Sequence, residues 1–239
     1  MTIYITQLTD DLHLFPNVEQ AQQDPDGLLA IGGDLNPQRI INAYQRGIFP
    51  WFSAGDPLLW WSPSERATIQ AGRVRISKSM KRFINKGALT ITLNYCFSDV
   101  IHACAQPRLT QSETWISAQM TDAYIQLHQL GLAHSIEVWS EDTLVGGLYG
   151  VSIGNTFCGE SMFSHKDNCS KLAFIALNQY FESIGGKLID CQMQTEHLKS
   201  LGVETISRAD FITHLRASHG NFLKKGCWEK QKLMVTLKN

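Results

Sequence analysis

The sequence predicts an α+β protein, with a small N-terminal domain over residues 1–62 and a larger domain over 63–239 built on a mixed β-sheet with flanking helices. Two observations carry this reading. Residues 134–163 run through three stretches of strand-like alternation broken by short turns. The stretches 156–163 and 187–193 are then joined by a helical pattern, and a strand–helix–strand unit with short joints makes its two strands parallel. A meander leading into such a crossover gives a mixed sheet.

In the first 62 residues, "GDLNPQRIINAYQRG" predicts a helix with Asn36 as N-cap, Pro37 at the first helical position and Gly47 as the stop. Ile40, Ile41 and Tyr44 share one side of it. The stretch "IFPWFSAGDPLLWWSPSER" is dense in aromatics and broken by Pro50, Pro57 and Pro63, so it predicts an extended, turning connector rather than a helix. "ALTITLN" alternates as a strand, and "SDVIHACA" predicts a short helix capped by Ser98. Residues 117–130 predict a longer helix with a stripe of Met120, Ala123, Tyr124, Leu127 and Leu130, ended by Gly131. The strand "HSIEVWS" turns at 140–143 into "LVGGLYGVSI", and Gly154-Asn155 turns that into "TFCGESMF". A helix with apolar positions at 172, 173, 175, 176, 180 and 184 follows, and two glycines end it before "KLIDCQM".

Composition bounds the function. The 239 residues are 44% hydrophobic and 18% charged, as in ordinary globular proteins, and no apolar run approaches a membrane span of about 20 residues. The start of the chain has no basic segment followed by an apolar core, and the six cysteines are irregularly spaced, so reduced thiols in a cytoplasmic setting are expected. Neither the cysteines nor the eight histidines form a metal-ligand pattern. Net charge is only −1, yet residues 66–98 carry seven bases (Arg66, Arg73, Arg75, Lys78, Lys81, Arg82, Lys86) and no acid. Such a block can attract phosphates. The plainer alternative is a solvated face neutralised by acids from elsewhere in the fold.

Polar residues stand out in the last two strands. Cys158, Glu160 and Met162 share one face of "FCGESMF", and Leu188, Asp190 and Gln192 share one face of "KLIDCQM". Charge inside an apolar strand is costly unless paired. Two explanations follow: a private hydrogen-bond network with Lys187 or Arg208 as counter-ion, or a crevice in which these groups do chemistry. The 164–171 turn, "SHKDNCSK", lacks glycine, which disfavours a coenzyme A pyrophosphate held against the backbone.

The strings "GLLAIGGDL", "AYQRGIFPWFS", "LLWWSP", "SIEVWSEDTLVGGLYGVSIG", "FCGESMFS" and "GGKLIDCQ" together resemble the bacterial leucyl/phenylalanyl-tRNA–protein transferases, from about residue 13 to about residue 210. The resemblance implies a monomeric enzyme without metal or coenzyme A, whose larger domain is similar to the GNAT acetyltransferases. It implies transfer of leucine or phenylalanine, less readily methionine, from aminoacyl-tRNA to the N-terminal amine of proteins that begin with Arg or Lys, marking them for N-end-rule degradation. It places the catalytic residues at Asp190, Gln192 and Glu160. The amino-acid pocket falls on Trp51, Trp115, Phe181 and Ile189, with Tyr44 and Tyr124 near the terminal adenosine. Leu148 stands where a methionine is expected and Leu177 where an aromatic is expected. Arg75, Lys78, Lys81 and Arg82 would hold the acceptor stem.

The reaction so implied is aminolysis of an activated ester, for which Asp190 is expected to orient and polarise Gln192, and Gln192 to accept a hydrogen bond from the attacking amine. Glu160 and Asp190 are also expected to favour a cationic first side chain in the acceptor. Two other readings stay open: a coenzyme A-dependent N-acetyltransferase on the same fold, and a non-catalytic RNA-binding module in which Asp190 and Gln192 only stabilise the core.

Overall fold

The computed structural model describes residues 5–53, 55–107, 116–218, 220–221 and 223–237. In chain order the strands and helices are β1 (Thr6–Leu8), β2 (Leu28–Gly32), α1 (Pro37–Gln45), β3 (Phe49–Pro50), β4 (Leu59–Trp61), β5 (Glu65–Gln70), α2 (Lys78–Asn85), β6 (Thr90–Leu93), α3 (Phe97–Cys104), α4 (Ala118–Gln129), β7 (Ala133–Ser140), β8 (Thr143–Ile153), β9 (Thr156–Ser164), α5 (Cys169–Ser183), β10 (Leu188–Asp190), α6 (Glu196–Ser200), β11 (Glu204–Ser207), α7 (Arg208–Ser218) and β12 (Gln231–Leu233). They form a 4-stranded sheet of order β1-β2-β4-β3 and an 8-stranded sheet of order β11-β5-β10-β9-β8-β7-β6-β12. The architecture is α+β with mixed sheets: β9 and β10 are parallel, while β7, β8 and β9 form an antiparallel meander.

Local chemistry explains most element ends. The Asn36 side chain accepts the Gln38 N–H at 2.9 Å and Pro37 opens α1, so the cap and the ring together fix its start. Ser140 faces Thr143 and Ile153 faces Thr156, which places both hairpins at the expected turns. Three boundaries differ from expectation. Helix α3 starts at Phe97, and Ser98 lies inside its first turn, because Phe97 is drawn into the core at 2% exposure. Leu130 leaves the stripe of α4 and is exposed, because the helix ends at Gln129 and the chain turns through Gly131 at φ +74°. Strand β10 ends at Asp190 rather than residue 193, because Gln192 adopts φ +56°, which no strand accommodates.

Each face of the large sheet carries a core. On one face, Phe97, Tyr124, Tyr149 and Val151 share a continuous apolar cluster with Ile40, Tyr44 and Trp60 of the small sheet and α1. On the other, α5 packs Leu172, Leu177 and Phe181 against Leu148, Phe157 and Ile189, with Leu233 of β12 at its margin. Burying one large apolar side chain contributes about 1.5–3 kcal/mol, so the shared cluster ties the two sheets together strongly. Trp60 is fully buried, and its indole N–H is satisfied by the Gly32 carbonyl at 2.9 Å.

One buried cation crosses this arrangement. Arg66 of β5 donates Nε to Asp190 Oδ1 at 2.9 Å and Nη2 to Oδ2 at 2.8 Å, a bidentate pair. Its Nη1 donates to the Gly47 carbonyl at 2.8 Å, and its guanidinium lies 4.8 Å from the Phe49 ring centre and 4.6 Å from that of Phe211. Arg66 therefore does not belong to a phosphate-facing basic block. The counter-ion of Asp190 is Arg66, not Lys187 or Arg208; Arg208 instead donates to the carbonyls of Pro63 and Val18. Removing one partner of such a pair leaves a charge stranded, at a cost of about 3–5 kcal/mol. Asp190→Ala is therefore expected to lower unfolding stability by about that much in urea titration; a midpoint equal to that of the parent would contradict the role given to the pair.

Candidate active site

Two irregularities open the sheet at one place. Along β8 and β9, Tyr149 faces Ser161 and Gly150 faces Gly159, so Glu160 has no partner on β8 and forms a bulge. Beside it, the parallel pairing of β9 with β10 stops at Cys158 and Asp190, although β9 continues to Ser164. The strands part there, and a cavity of about 920 Å³ lies in the opening.

Its lining comes from both cores. Leu148, Phe174, Leu177, Ile189 and Leu198 belong to the α5 side and make an apolar wall. Cys104 at the end of α3 and Tyr149 belong to the other side. Glu160 and Gln192 line the opening between them. The Gln192 Nε2 donates to Glu160 Oε1 at 3.0 Å, which leaves the amide oxygen as an acceptor. The Tyr124 hydroxyl donates to Glu160 Oε2 at 3.1 Å and also shares a hydrogen bond of 2.5 Å with the Tyr44 hydroxyl. Burial, with Asp190 nearby, pushes the Glu160 carboxyl up to about 7, while the two tyrosine hydroxyls and Arg66 restrain the rise. Burial and the Glu160 charge push both phenols well above their ordinary range, so they remain neutral.

Asp190 lies behind this edge. It is fully buried and contributes nothing to the cavity lining. Besides Arg66, its Oδ1 accepts the backbone N–H of Gln192 at 3.0 Å. A non-glycine residue at φ +56° needs such support. The carboxylate thus reaches Gln192 through the main chain and not through the side-chain amide.

The expected site residues do not all converge on the cavity. Glu160, Gln192, Leu148, Leu177 and Ile189 line one cavity, and Tyr44 and Tyr124 join it through Glu160. Phe181 is buried behind the wall, with its ring centre 6.0 Å from that of Phe157 and 6.2 Å from that of Trp228. Trp51 sits 5.6 Å from Trp61 and is partly exposed, away from the lining. Trp115 lies outside the described residues. Lys78, Lys81 and Arg82 follow one side of α2, with Arg75 just before it; Arg75, Lys78 and Arg82 are exposed and Lys81 is half-buried. None of these four lines the cavity. Phe174 went unnoticed in the sequence, although its position one helical turn before Leu177 could have revealed it. Tyr149 carried no such signal, because alternation puts it on the face opposite Leu148.

Among the described residues, no cluster of three His, Cys, Asp or Glu side chains could hold a metal, and no helix is long and apolar enough to cross a membrane. The chain matches the family model for the leucyl/phenylalanyl-tRNA protein transferase over residues 68–216, and that for the N-terminal domain of the same transferase over residues 33–64. It is 57% identical to the leucyl/phenylalanyl-tRNA–protein transferase of Psychromonas ingrahamii, over 98% of this chain and 99% of that one. It is 50% identical to that of Shewanella baltica, over 96% and 97%, and 47% identical to that of Tolumonas auensis, over 98% and 100%. With two family models spanning most of the chain and relatives of one name matching it almost end to end, the chain belongs to the leucyl/phenylalanyl-tRNA–protein transferase family.

Proposed function

We propose that this chain transfers leucine or phenylalanine, less readily methionine, from aminoacyl-tRNA to the N-terminal amine of proteins beginning with Arg or Lys. The observation that carries the reading is a cavity with an apolar wall at Leu148, Leu177 and Ile189 and an acceptor-rich edge at Glu160 and Gln192. An aliphatic or benzylic side chain suits the wall, and an adjoining ester would meet the polar edge. The product would be marked for N-end-rule degradation, in a monomeric cytoplasmic enzyme without a cofactor. In this reading, residues 1–62 and 63–239 are its two domains, and the larger sheet is of GNAT type.

In the reaction, the acceptor nitrogen bonds to the ester carbon and the bond from that carbon to the ribose oxygen breaks. A proton leaves the amine and finally rests on the departing ribose oxygen. The Gln192 amide oxygen accepts a hydrogen bond from the attacking amine, and Glu160 lies close enough to Gln192 to hold the proton in transit. A free α-amine has a pKa of about 8, so a strong base is unnecessary. Orientation is worth about 7–11 kcal/mol, and a rigid pocket supplies it. Asp190 acts as a positioning residue, because its charge is matched by Arg66 and its contact with Gln192 is through the backbone. Glu160 is then the acid available to a cationic acceptor side chain. Lys78, Lys81, Arg82 and Arg75 would contact acceptor-stem phosphates.

The test is incubation with phenylalanyl-tRNA and a peptide beginning with Arg or, in parallel, with Ala. Phenylalanine is expected on the Arg peptide alone. No transfer to either peptide would overturn the reading, and a melting temperature raised by acetyl-coenzyme A would favour an acetyltransferase.

Glu160 gives a pH signature. A carboxyl raised from 4.5 to about 7 binds its proton in the folded chain where the unfolded chain has lost it. Its stability contribution is therefore full below 4.5 and is lost as pH rises through about 7. Transfer needs the ionised form, so kcat should rise with pH up to about 7. Glu160→Gln should remove that limb and leave the limb of the amine itself near about 8. An unchanged acid limb in this variant would show that another group titrates.

The basic helix gives a salt signature. Replacing Lys78, Lys81 and Arg82 by Ala should make the slope of log affinity for tRNA against log salt shallower by about two to three. An unchanged slope would move the tRNA contact elsewhere.

A further inference from the structure

Among the described residues, three buried side-chain polar atoms have no hydrogen-bond partner: Ser62 Oγ, His134 Nε2 and the Tyr149 hydroxyl. Only Tyr149 of these also lines the cavity. Its residue is fully buried, and its ring meets Tyr124 edge-on at 5.6 Å and Phe97 at 5.8 Å, so packing fixes where the hydroxyl sits. Leaving a buried hydroxyl unpaired is costly. It persists where a ligand completes it or the surroundings over-determine it.

The position is specific. Tyr149 is the β8 residue at the bulge, directly before the slip that leaves Glu160 unpaired. Tyr44 is bound to Tyr124 and Tyr124 to Glu160, whereas Tyr149 stands beside them without such a bond. Burial and the Glu160 charge push its phenol well up, so it stays an O–H donor. At this edge the Glu160 carboxylate and the Gln192 carbonyl are acceptors, and the Gln192 Nε2 already donates to Glu160. Aminolysis of an ester builds negative charge on the carbonyl oxygen, and acceptors cannot stabilise it.

We propose that Tyr149 is a further catalytic residue, whose hydroxyl donates a hydrogen bond to the carbonyl oxygen of the donor ester. This rests on the aminoacyl-transfer reading above. As the amine nitrogen bonds to the carbon, the carbonyl electron pair moves onto that oxygen and the phenol stabilises it. The pair returns as the ribose oxygen leaves with its proton. The phenol keeps its own proton throughout.

Tyr149→Phe deletes the hydroxyl and keeps the ring. The assay is transfer from phenylalanyl-tRNA to an Arg-initiated peptide, with melting temperature and affinity for an aminonucleoside amide analogue of the donor measured alongside. The parent protein is the control: if it does not transfer, the functional reading fails, and not this assignment. With an active parent, kcat of Tyr149→Phe is expected to fall about 100-fold, as on loss of one oxyanion donor. The KM for the charged tRNA and the analogue affinity should stay within about threefold, since the contact strengthens only in the transition state. The melting temperature should hold or rise, because an unpaired hydroxyl has been removed. A kcat within about threefold of the parent would overturn the proposal, as would a raised KM at unchanged kcat, which marks ground-state binding only. If Tyr149→Phe does not fold, 3-fluorotyrosine at position 149 decides: its phenol is a stronger hydrogen-bond donor and should raise kcat at unchanged KM, and an unchanged kcat overturns the proposal.

Discussion

The bidentate pair between Arg66 and Asp190 is the constraint on which the site depends. It joins β5 to β10, the second and third strands from one edge of the large sheet, and its third arm reaches the Gly47 carbonyl beyond α1. With both charges out of water, the pair is a weak source of net stability and a strong source of geometry. The carboxylate oxygen that faces Arg66 Nε also accepts the Gln192 N–H, so the turn that carries the candidate catalytic amide is anchored to the same pair. Loss of transfer in an Asp190 variant would therefore report displacement of Gln192 as readily as lost chemistry.

A sheet normally separates two cores, and here it is deliberately incomplete. The bulge at Glu160 and the early end of β10 leave one opening, and through it the apolar wall on the α5 side meets Tyr149 and the cluster that holds Tyr44 of α1 and Tyr124 of α4. This gives one cavity two characters: an apolar wall and a polar edge. The C-terminal segment supports the wall from behind. Trp228 stacks on His134 at 3.9 Å and borders Phe181 at 6.2 Å, while Asn94 Nδ2 donates to the Trp228 carbonyl at 2.7 Å. In the proposed reaction one misplaced methylene would be worth about 1–3 kcal/mol, so a stiff backing would serve discrimination.

Much of this was legible from residue patterns. The Asn36–Pro37 helix start, the turns at 140–143 and 154–155, and the parallel pair of strands follow from local chemistry and period. The polar residues Glu160 and Gln192 stood out against apolar strands, and both line the cavity. What failed was set by distant contacts. The partner of Asp190 lies 124 residues away, so neighbouring Lys187 and Arg208 looked as suitable. Gln192 left the strand because a side-chain carboxylate, not the ladder, holds its N–H. Tyr149 and Leu148 face opposite sides of β8, and only the gap in the sheet brings both to one cavity. The tail beyond 210 had no readable motif, since Trp228 acts through ring contacts with residues remote in sequence.

In the proposed binding mode the donor side chain lies on the α5 side of the opening and its ester at the Glu160–Gln192 edge. A crystal structure with an amide-linked phenylalanyl adenosine bound would test this most directly. The benzyl group is expected among Leu148, Leu177 and Ile189, and the carbonyl oxygen within hydrogen-bond reach of Tyr149. A benzyl group seated outside that wall, with the carbonyl remote from Glu160 and Gln192, would contradict it.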